Sequence, residues 1–363
     1  MITYREYFYI GNEKLLEKTW GKLYCNQKYS FFLSWCWIGT WLSSLPNNIN
    51  MSFIVGYRDD LAVIVFLRGT TSKTIFCFPF IKYMSINTSG QSCFDNVMLE
   101  YNTFLSADND DFSICELIDS DVFNAADIIS LPGFIDSPKN LSLLNEDEYF
   151  IEEQRHSSFY VDLDRVNENE KSYFGLLSSG RRRQLKKSLQ LIGMYGDIGI
   201  QKAQNLSESE LMYEKMLDMH RLSWRKRGKK GAFESRFSED FHRKLLSKQS
   251  NQNICIFQIS AGDIDVGYIY GFMSQGRFLY YQSGFRIFSD NKIKSGMSCH
   301  ALLINHLSSI GVKRYDFLSG GGRYKESLST GKEYLCWVRI YRRKWSTAFL
   351  LHSRKVRRLK VKF

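Results

Sequence analysis

The stretch from residue 277 to 328, "RFLYYQSGFRIFSDNKIKSGMSCHALLINHLSSIGVKRYDFLSGGGRYKESL", decides how the fold is read. RFLYYQSGF has the apolar density of a buried strand, and RIFSDNKIK has the polarity of a loop. SGMSCHALLINHLSSIG reads as a helix closed by Gly311, with Ala301, Ile304 and Leu307 on one stripe; VKRYDFLSG reads as a further strand. Strand, loop, helix, strand is therefore the core of the second half of the chain.

Working outward, ICIFQISAGDIDVGYIYGFM at 254–273 predicts a hairpin turning at Gly262-Asp263. About two hundred residues earlier, FIVGYRDDLAVIVFL at 53–67 has the same layout around Asp59-Asp60, which suggests two copies of one supersecondary unit. Helical patterns cover residues 12–26, the Trp-rich segment 31–46 ending at Pro46, SSGRRRQLKKSLQLIGMYG with a serine N-cap, and 207–226. The polar, acidic segment between the halves places a boundary around residues 155–175.

With 363 residues, two domains of roughly 150 to 180 residues each are expected. An apolar share of 44% and only four prolines indicate a folded globular protein and not a disordered one. No apolar run is long enough to span a bilayer, and the start MITYREYFYIGNEK lacks the order of a signal peptide, so a soluble cytoplasmic protein is expected. The eight cysteines form no CxxC pair and no metal spacing with the histidines, and read as reduced core thiols.

The net charge of +11 is divided unevenly. Residues 1–170 hold 12 Lys+Arg against 24 Asp+Glu, and residues 171–363 hold 37 against 14, giving −12 and +23. A partner for anions belongs to the second half.

Three clusters in that half carry possible chemistry. NKIKSGMS puts Lys292 and Lys294 before Ser295, Gly296 and Met297 at a helix start, where free N–H groups and the helix dipole favour an anion; an ordinary serine cap beside two solvated lysines is the plainer alternative. Arg181, Arg182 and Arg183 in RRRQLKK suit phosphate oxygens of tRNA or a sugar diphosphate, or else form a solvated helix face. Six Lys/Arg among residues 354–362 suit anionic lipid headgroups, hence peripheral membrane contact, or make a solvated tail.

The run Gly320 to Gly322 follows no Walker or dinucleotide spacing, so nucleotide hydrolysis gains no support. It is either a simple turn or a bend that brings Asp316, Tyr324 and Lys325 near the end of the neighbouring strand. His300 and His306, six apart, share no helical face, and no HExxH occurs.

In the order and spacing of FFLSWCWIGTWL, VGYRDDLAVIVF, CFDNVMLE, SSGRRRQLKKS, HRLSWRKRGKKGAFESRFSEDFHRKLL, GDIDVGYIYGF and the 280–328 block, the chain resembles the CelD/BcsL-type acetyltransferases of the GNAT superfamily, relatives of the Fem-type aminoacyl transferases. The family usually has Ser-Pro-Gly before the helix; here Ser295-Gly296 lacks the proline and the later glycine is tripled, while Asp316, Phe317, Tyr324 and Lys325 keep register.

The resemblance implies an α/β fold of mixed sheets: two tandem GNAT-like acyltransferase domains at 1–165 and 170–345, followed by a basic tail at 346–363. It implies acyl transfer from acetyl-CoA or another acyl-CoA, without a metal, to an amine such as an amino sugar or sugar nucleotide of polysaccharide or cell-envelope synthesis. Asp316 is then the base or amine-orienting carboxylate, and Tyr281 or Tyr324 the proton donor. Lys292, Lys294, Ser295, Gly296 and Met297 hold the coenzyme, and Lys325 with Arg181 to Arg183 the substrate. Two competing readings are a Fem-like transferase using aminoacyl-tRNA, and a non-catalytic protein that binds nucleic acid through its basic surface. No sustained heptads support the coiled-coil arm common in the first.

Overall fold

The structure is a computed structural model that describes residues 2–25, 28–75, 78–97, 99–107, 114–135, 141–168, 172–229, 231–248, 253–320 and 322–351. The chain divides into two compact units, the first comprising 1–25, 32–155 and 334–363, the second 26–31 and 156–333.

The first unit opens with β1 (Thr3–Phe8), α1 (Glu13–Leu23) and α2 (Trp35–Leu42). β2 (Met51–Arg58), β3 (Leu61–Ile75) and β4 (Phe78–Ile86) then form an antiparallel meander. Asp59 and Asp60, at φ 47° and 60°, make the β2–β3 turn in the left-handed region that short polar side chains tolerate. After β5 (Leu105–Ser106) and α3 (Ile114–Asp119), β6 (Ile128–Ile135) returns parallel to β4, and β7 (Tyr149–Asp162) follows.

The second unit repeats the pattern with longer helices. It contains α4 (Asp164–Glu168), α5 (Tyr173–Leu176), α6 (Ser179–Ile192), β8 (Ile198–Lys202), α7 (Leu206–Lys226) and α8 (Arg236–Leu246). An antiparallel meander β9 (Ile254–Ala261), β10 (Ile264–Ser274), β11 (Arg277–Phe285) leads through α9 (Ser295–Ser309) to β12 (Arg314–Ser319), parallel to β11. α10 (Arg323–Leu328) and β13 (Gly331–Arg342) complete the order.

The paired hairpins of the sequence are thus the central strands of two like units. Each unit adds one last antiparallel strand. β12 pairs with the second part of β7, and β6 pairs with β13. The last strand therefore leaves the contiguous 170–345 segment: Leu335, Cys336, Val338 and Ile340 of β13 are buried with Ile54, Phe66, Ile129 and Leu131 in the core of the first unit. Pairing with β6 places the alternate apolar residues of β13 on the face that this core covers.

The second core packs Leu185 and Ile192 of α6, Cys299, Ala301, Leu303, Ile304 and Leu307 of α9, and Phe257, Ile259, Phe278, Tyr315 and Phe317 of the sheet. The reading of all cysteines as core thiols needs correction. Cys255, Cys299 and Cys336 are buried, Cys36 and Cys115 half-buried, but Cys25 and Cys93 are exposed, because each lies in a connection outside any helix or strand. Cys77 and the basic tail beyond residue 351 lie outside the described residues, and no helix among the described residues is long and apolar enough to cross a membrane.

Candidate active site

β11 and β12 are paired only from Arg277–Arg314 to Leu279–Asp316, although β11 continues to Phe285 and β12 to Ser319. Beyond that point the strands part. The gap holds a cleft of about 600 Å³ lined by Tyr280, Gln282, Ser283 and Phe285 of β11, Lys294 to Met297 and His300 at the start of α9, and Tyr324 of α10. His220, Ser223, Trp224 and Arg227 of α7 complete it.

The N-terminus of α9 has no side-chain cap. The serine cap is not formed, because Lys294 occupies that position, and the Ser295 hydroxyl donates instead to the carbonyl of Arg286 at 2.7 Å. Ser188 of α6 anchors this turn from below, accepting the Lys294 N–H at 2.8 Å and bonding to the Ser298 hydroxyl at 2.8 Å. The first-turn N–H groups thus face a cleft, with the positive end of the helix dipole behind them.

Beside it, Arg183 and Lys187 of α6 and Lys292 and Lys294 of the preceding loop line a groove of about 440 Å³. Of the three arginines expected to bind substrate, only Arg183 faces this groove. Arg181 bonds to Gln184 and lies 3.6 Å from the Met297 sulfur, and Arg182 donates to the carbonyl of Leu177 at 3.2 Å.

Asp316 does not line the cleft. It is fully buried, accepts the Leu318 N–H at 2.9 Å and the Ser158 hydroxyl at 3.4 Å, and lies 3.4 Å from the Arg314 guanidinium. Leu318 stands at φ 59°, in the left-handed region, where the β12–β7 register shifts. Lys325 holds the same kink from the other side, its Nζ donating to the carbonyls of Phe317, Leu318 and Ser319 at 2.7, 3.2 and 2.8 Å. This pair fixes a strained strand end, and neither side chain lines the cleft.

The glycine run does bend the chain back. Gly320 has φ 121°, and a Cβ on Gly322 would meet the Tyr324 ring at 2.9 Å, so only glycine lets that ring fold over. Gly321 lies outside the described residues. Tyr324 stacks on His300 with centroids 5.7 Å apart and planes at 21°. Its phenol interacts with that of Tyr280, whose hydroxyl lies 2.7 Å from the Ser283 hydroxyl, so three hydroxyl-bearing side chains share the cleft wall. Burial pushes the Tyr324 phenol well above its usual range, and Tyr280 adds to the shift.

Tyr281 is absent from the cleft. It sits at the β11 bulge, where the β10 partners step from Tyr280 to Gln282, and its hydroxyl lies 3.2 Å from Nε2 of His242.

Two histidines that the sequence left without a role line the cleft instead. Nδ1 of His220 lies 2.9 Å from the carbonyl of Ser283, which can only accept, so Nδ1 carries the proton and Nε2 a lone pair. His300 bonds through Nδ1 to the Tyr315 hydroxyl at 2.7 Å. Among the described residues, Nε2 has no hydrogen-bond partner in either ring. Burial lowers both pKa values, that of His300 to about 3 with Lys325 contributing, so both rings are neutral near pH 7. No triad or metal spacing marks them in the sequence; each could be found only by knowing which strand end its helix faces.

Where Trp37, Trp41, Asn87 and Asp95 meet, the cavity is only about 10 Å³, and Asp95 is tied to the N–H and hydroxyl of Ser89 at 2.8 Å.

Comparison with known proteins agrees with this geometry. Residues 179–326 match the family described as the acetyltransferase (GNAT) domain. Among solved structures, FemX is 9% identical, covering 92% of this chain and 96% of its own at a TM-score of 0.54. L-PGS from Bacillus licheniformis is 12% identical, covering 94% and 96% at 0.51. A conserved protein of unknown function from Bacteroides thetaiotaomicron is 8% identical, covering 94% and 100% at 0.54. No curated protein matches the sequence. All residues of the cleft and the basic groove fall within the matched span, and the chain is a mixed α/β protein of two like units, the second of which contains the segment that matches the acetyltransferase (GNAT) domain.

Proposed function

We propose that the second unit transfers an acyl group, acetyl in the simplest case, from acyl-CoA to an amine acceptor, an amino sugar or sugar nucleotide of polysaccharide or cell-envelope synthesis. One observation carries the reading: β11 and β12 separate where the uncapped N-terminus of α9 opens into the cleft. The freed backbone of β11 can pair with the amide-bearing arm of the coenzyme as a strand would. The N–H groups of Ser295, Gly296 and Met297 then meet its pyrophosphate, and Arg183, Lys187, Lys292 and Lys294 supply the counter-charge.

The transfer needs an unprotonated amine, a polarised thioester carbonyl and a proton for the leaving thiolate. His220 Nε2 takes the proton that the amine nitrogen loses as it bonds to the carbonyl carbon. Tyr324 gives a proton to the sulfur as the C–S bond breaks, and the Tyr280–Ser283 hydroxyls restore it from solvent. Asp316 and Lys325 serve by fixing the strand end.

Calorimetric titration with acetyl-CoA, with CoA and ATP as comparison ligands, tests the donor. Saturable micromolar binding of acetyl-CoA but not ATP is expected; no binding of any CoA species to folded protein overturns the reading. The exposed Arg183, Lys186 and Lys187 on α6, with the fold shared with FemX, favour aminoacyl-tRNA as the second donor to test. A steep salt dependence for arbitrary nucleic acid without CoA affinity would instead indicate a binding protein.

A further inference from the structure

A second cavity, of about 330 Å³, adjoins the cleft and shares His220 and Trp224 with it as a common wall. Its remaining lining includes Arg221, Arg225, Lys229 and Arg236, four cations, against the single carboxylate of Glu239. Glu239 is already committed, 2.5 Å from Arg221 and 2.8 Å from Arg243. The phosphates of a CoA donor have their own cations in Arg183, Lys187, Lys292 and Lys294, so this charge exceeds what the donor requires.

The cavity also contains an unsatisfied buried group. His220 is 4% exposed, and its Nε2, without a hydrogen-bond partner, faces Gly231, where an added Cβ would come within 2.6 Å of it. The Trp224 ring, 5.8 Å from that of His220, offers a flat apolar surface beside the cations. A size within the range of about 300–1,000 Å³ suits a small molecule.

We propose that this cavity is the acceptor subsite and that the acceptor is a phosphorylated amine. Its phosphoryl group is held by Arg225, Lys229 and Arg236, its body lies on Trp224, and its amine reaches Nε2 of His220 at the shared wall. Guanidinium forks match phosphoryl oxygens in pairs, and a charge near −2 fits Arg225, Lys229 and Arg236, the last of these held only by an exposed ion pair 3.6 Å from Asp240, better than a monoanionic carboxylate does. The proposal rests on the acyltransferase reading for the amine, and on the cavity alone for the anion.

The test is calorimetric titration of protein saturated with CoA, using glucosamine 6-phosphate and glucosamine as paired probes. The phosphorylated amine is expected to bind at least about tenfold more tightly, and Arg225→Ala/Arg236→Ala to abolish that advantage while leaving acetyl-CoA affinity within about twofold. Equal affinity for the two amines, no binding of either, or an advantage that survives in the double variant overturns the proposal. If acetyl-CoA itself does not bind, the acyltransferase reading fails separately, and inorganic phosphate is titrated into the unliganded protein. Saturable binding lost in the double variant then supports the anion subsite, and its absence overturns it.

Discussion

Tyr280 and Tyr281 are adjacent in β11, yet their hydroxyls have different partners: Tyr280 lies 2.7 Å from Ser283 in the cleft wall, and Tyr281 lies 3.2 Å from Nε2 of His242 on α8. Tyr281 is the extra residue of the β11 bulge, which turns it toward α8 while Tyr280 keeps its place beside the cleft. Tyr281→Phe is expected to retain turnover within about twofold and to lose roughly 1 kcal/mol of stability with its buried hydrogen bond. Tyr324→Phe, by contrast, should lower kcat about 100-fold at unchanged acetyl-CoA affinity. Steady-state kinetics on both proteins decide the matter, and the reverse pattern would exchange the two assignments.

The Asp316–Lys325 clamp around Leu318 predicts a structural phenotype. Lys325→Met removes the donor of three carbonyl bonds and should cost about 1–3 kcal/mol, read as a drop in Tm, with substrate KM values within about threefold of the parent. Asp316→Asn retains an acceptor for the Leu318 N–H and should keep kcat within about threefold. A 100-fold loss of kcat in either variant at unchanged Tm would return that side chain to the reaction.

Coenzyme affinity should respond to cations of the groove and not to the neighbouring arginines that pack inward. Arg183→Ala and Lys294→Ala are each expected to weaken acetyl-CoA binding about tenfold and to flatten its salt dependence. Arg182→Ala, which loses a contact with the Leu177 carbonyl, should lower Tm and leave affinity within about twofold. Isothermal titration at two salt concentrations separates these effects.

Two buried histidines make stability pH-dependent. Burial holds His242 and His300 at about 3, below the ordinary value of about 6.5 that each regains on unfolding. Between those values only the unfolded chain binds the proton, so stability is fullest above pH 6.5 and falls as the pH drops through the window, by up to about 1.4 kcal/mol per pH unit per histidine. Denaturant unfolding at pH 7, 6 and 5 should show this decline, and His300→Gln should reduce its slope by one proton. An unchanged slope in that variant would mean that the ring is already protonated in the folded protein.

The sequence alone determined the parts that depend on local physics. Period-two and helical patterns placed β11, α9 and β12, turn residues at 59–60 and 262–263 placed both hairpins, and the asymmetry of charge marked the second half as the basic one. Those signals are local because hydrogen-bonding geometry and burial act within a few residues. The start of α9 was legible for the same reason: Lys294 to Met297 are consecutive and enter the cleft together.

What tertiary structure decided are relations between distant residues. β13 belongs to the first unit because it pairs with β6, some two hundred residues earlier in the chain, and buries its apolar face in the core of that unit. Asp316 and Lys325 look like reactive groups in the sequence, but Asp316 is buried against Leu318, Ser158 and Arg314, and Lys325 spends its three donors on the carbonyls of the kink. His220 and His300 look unremarkable, but α7 and α9 bring them to one cleft, each with Nε2 unpaired. Which polar groups remain available for chemistry depends on which hydrogen bonds the fold has already made, and that balance is settled only when all the elements have packed.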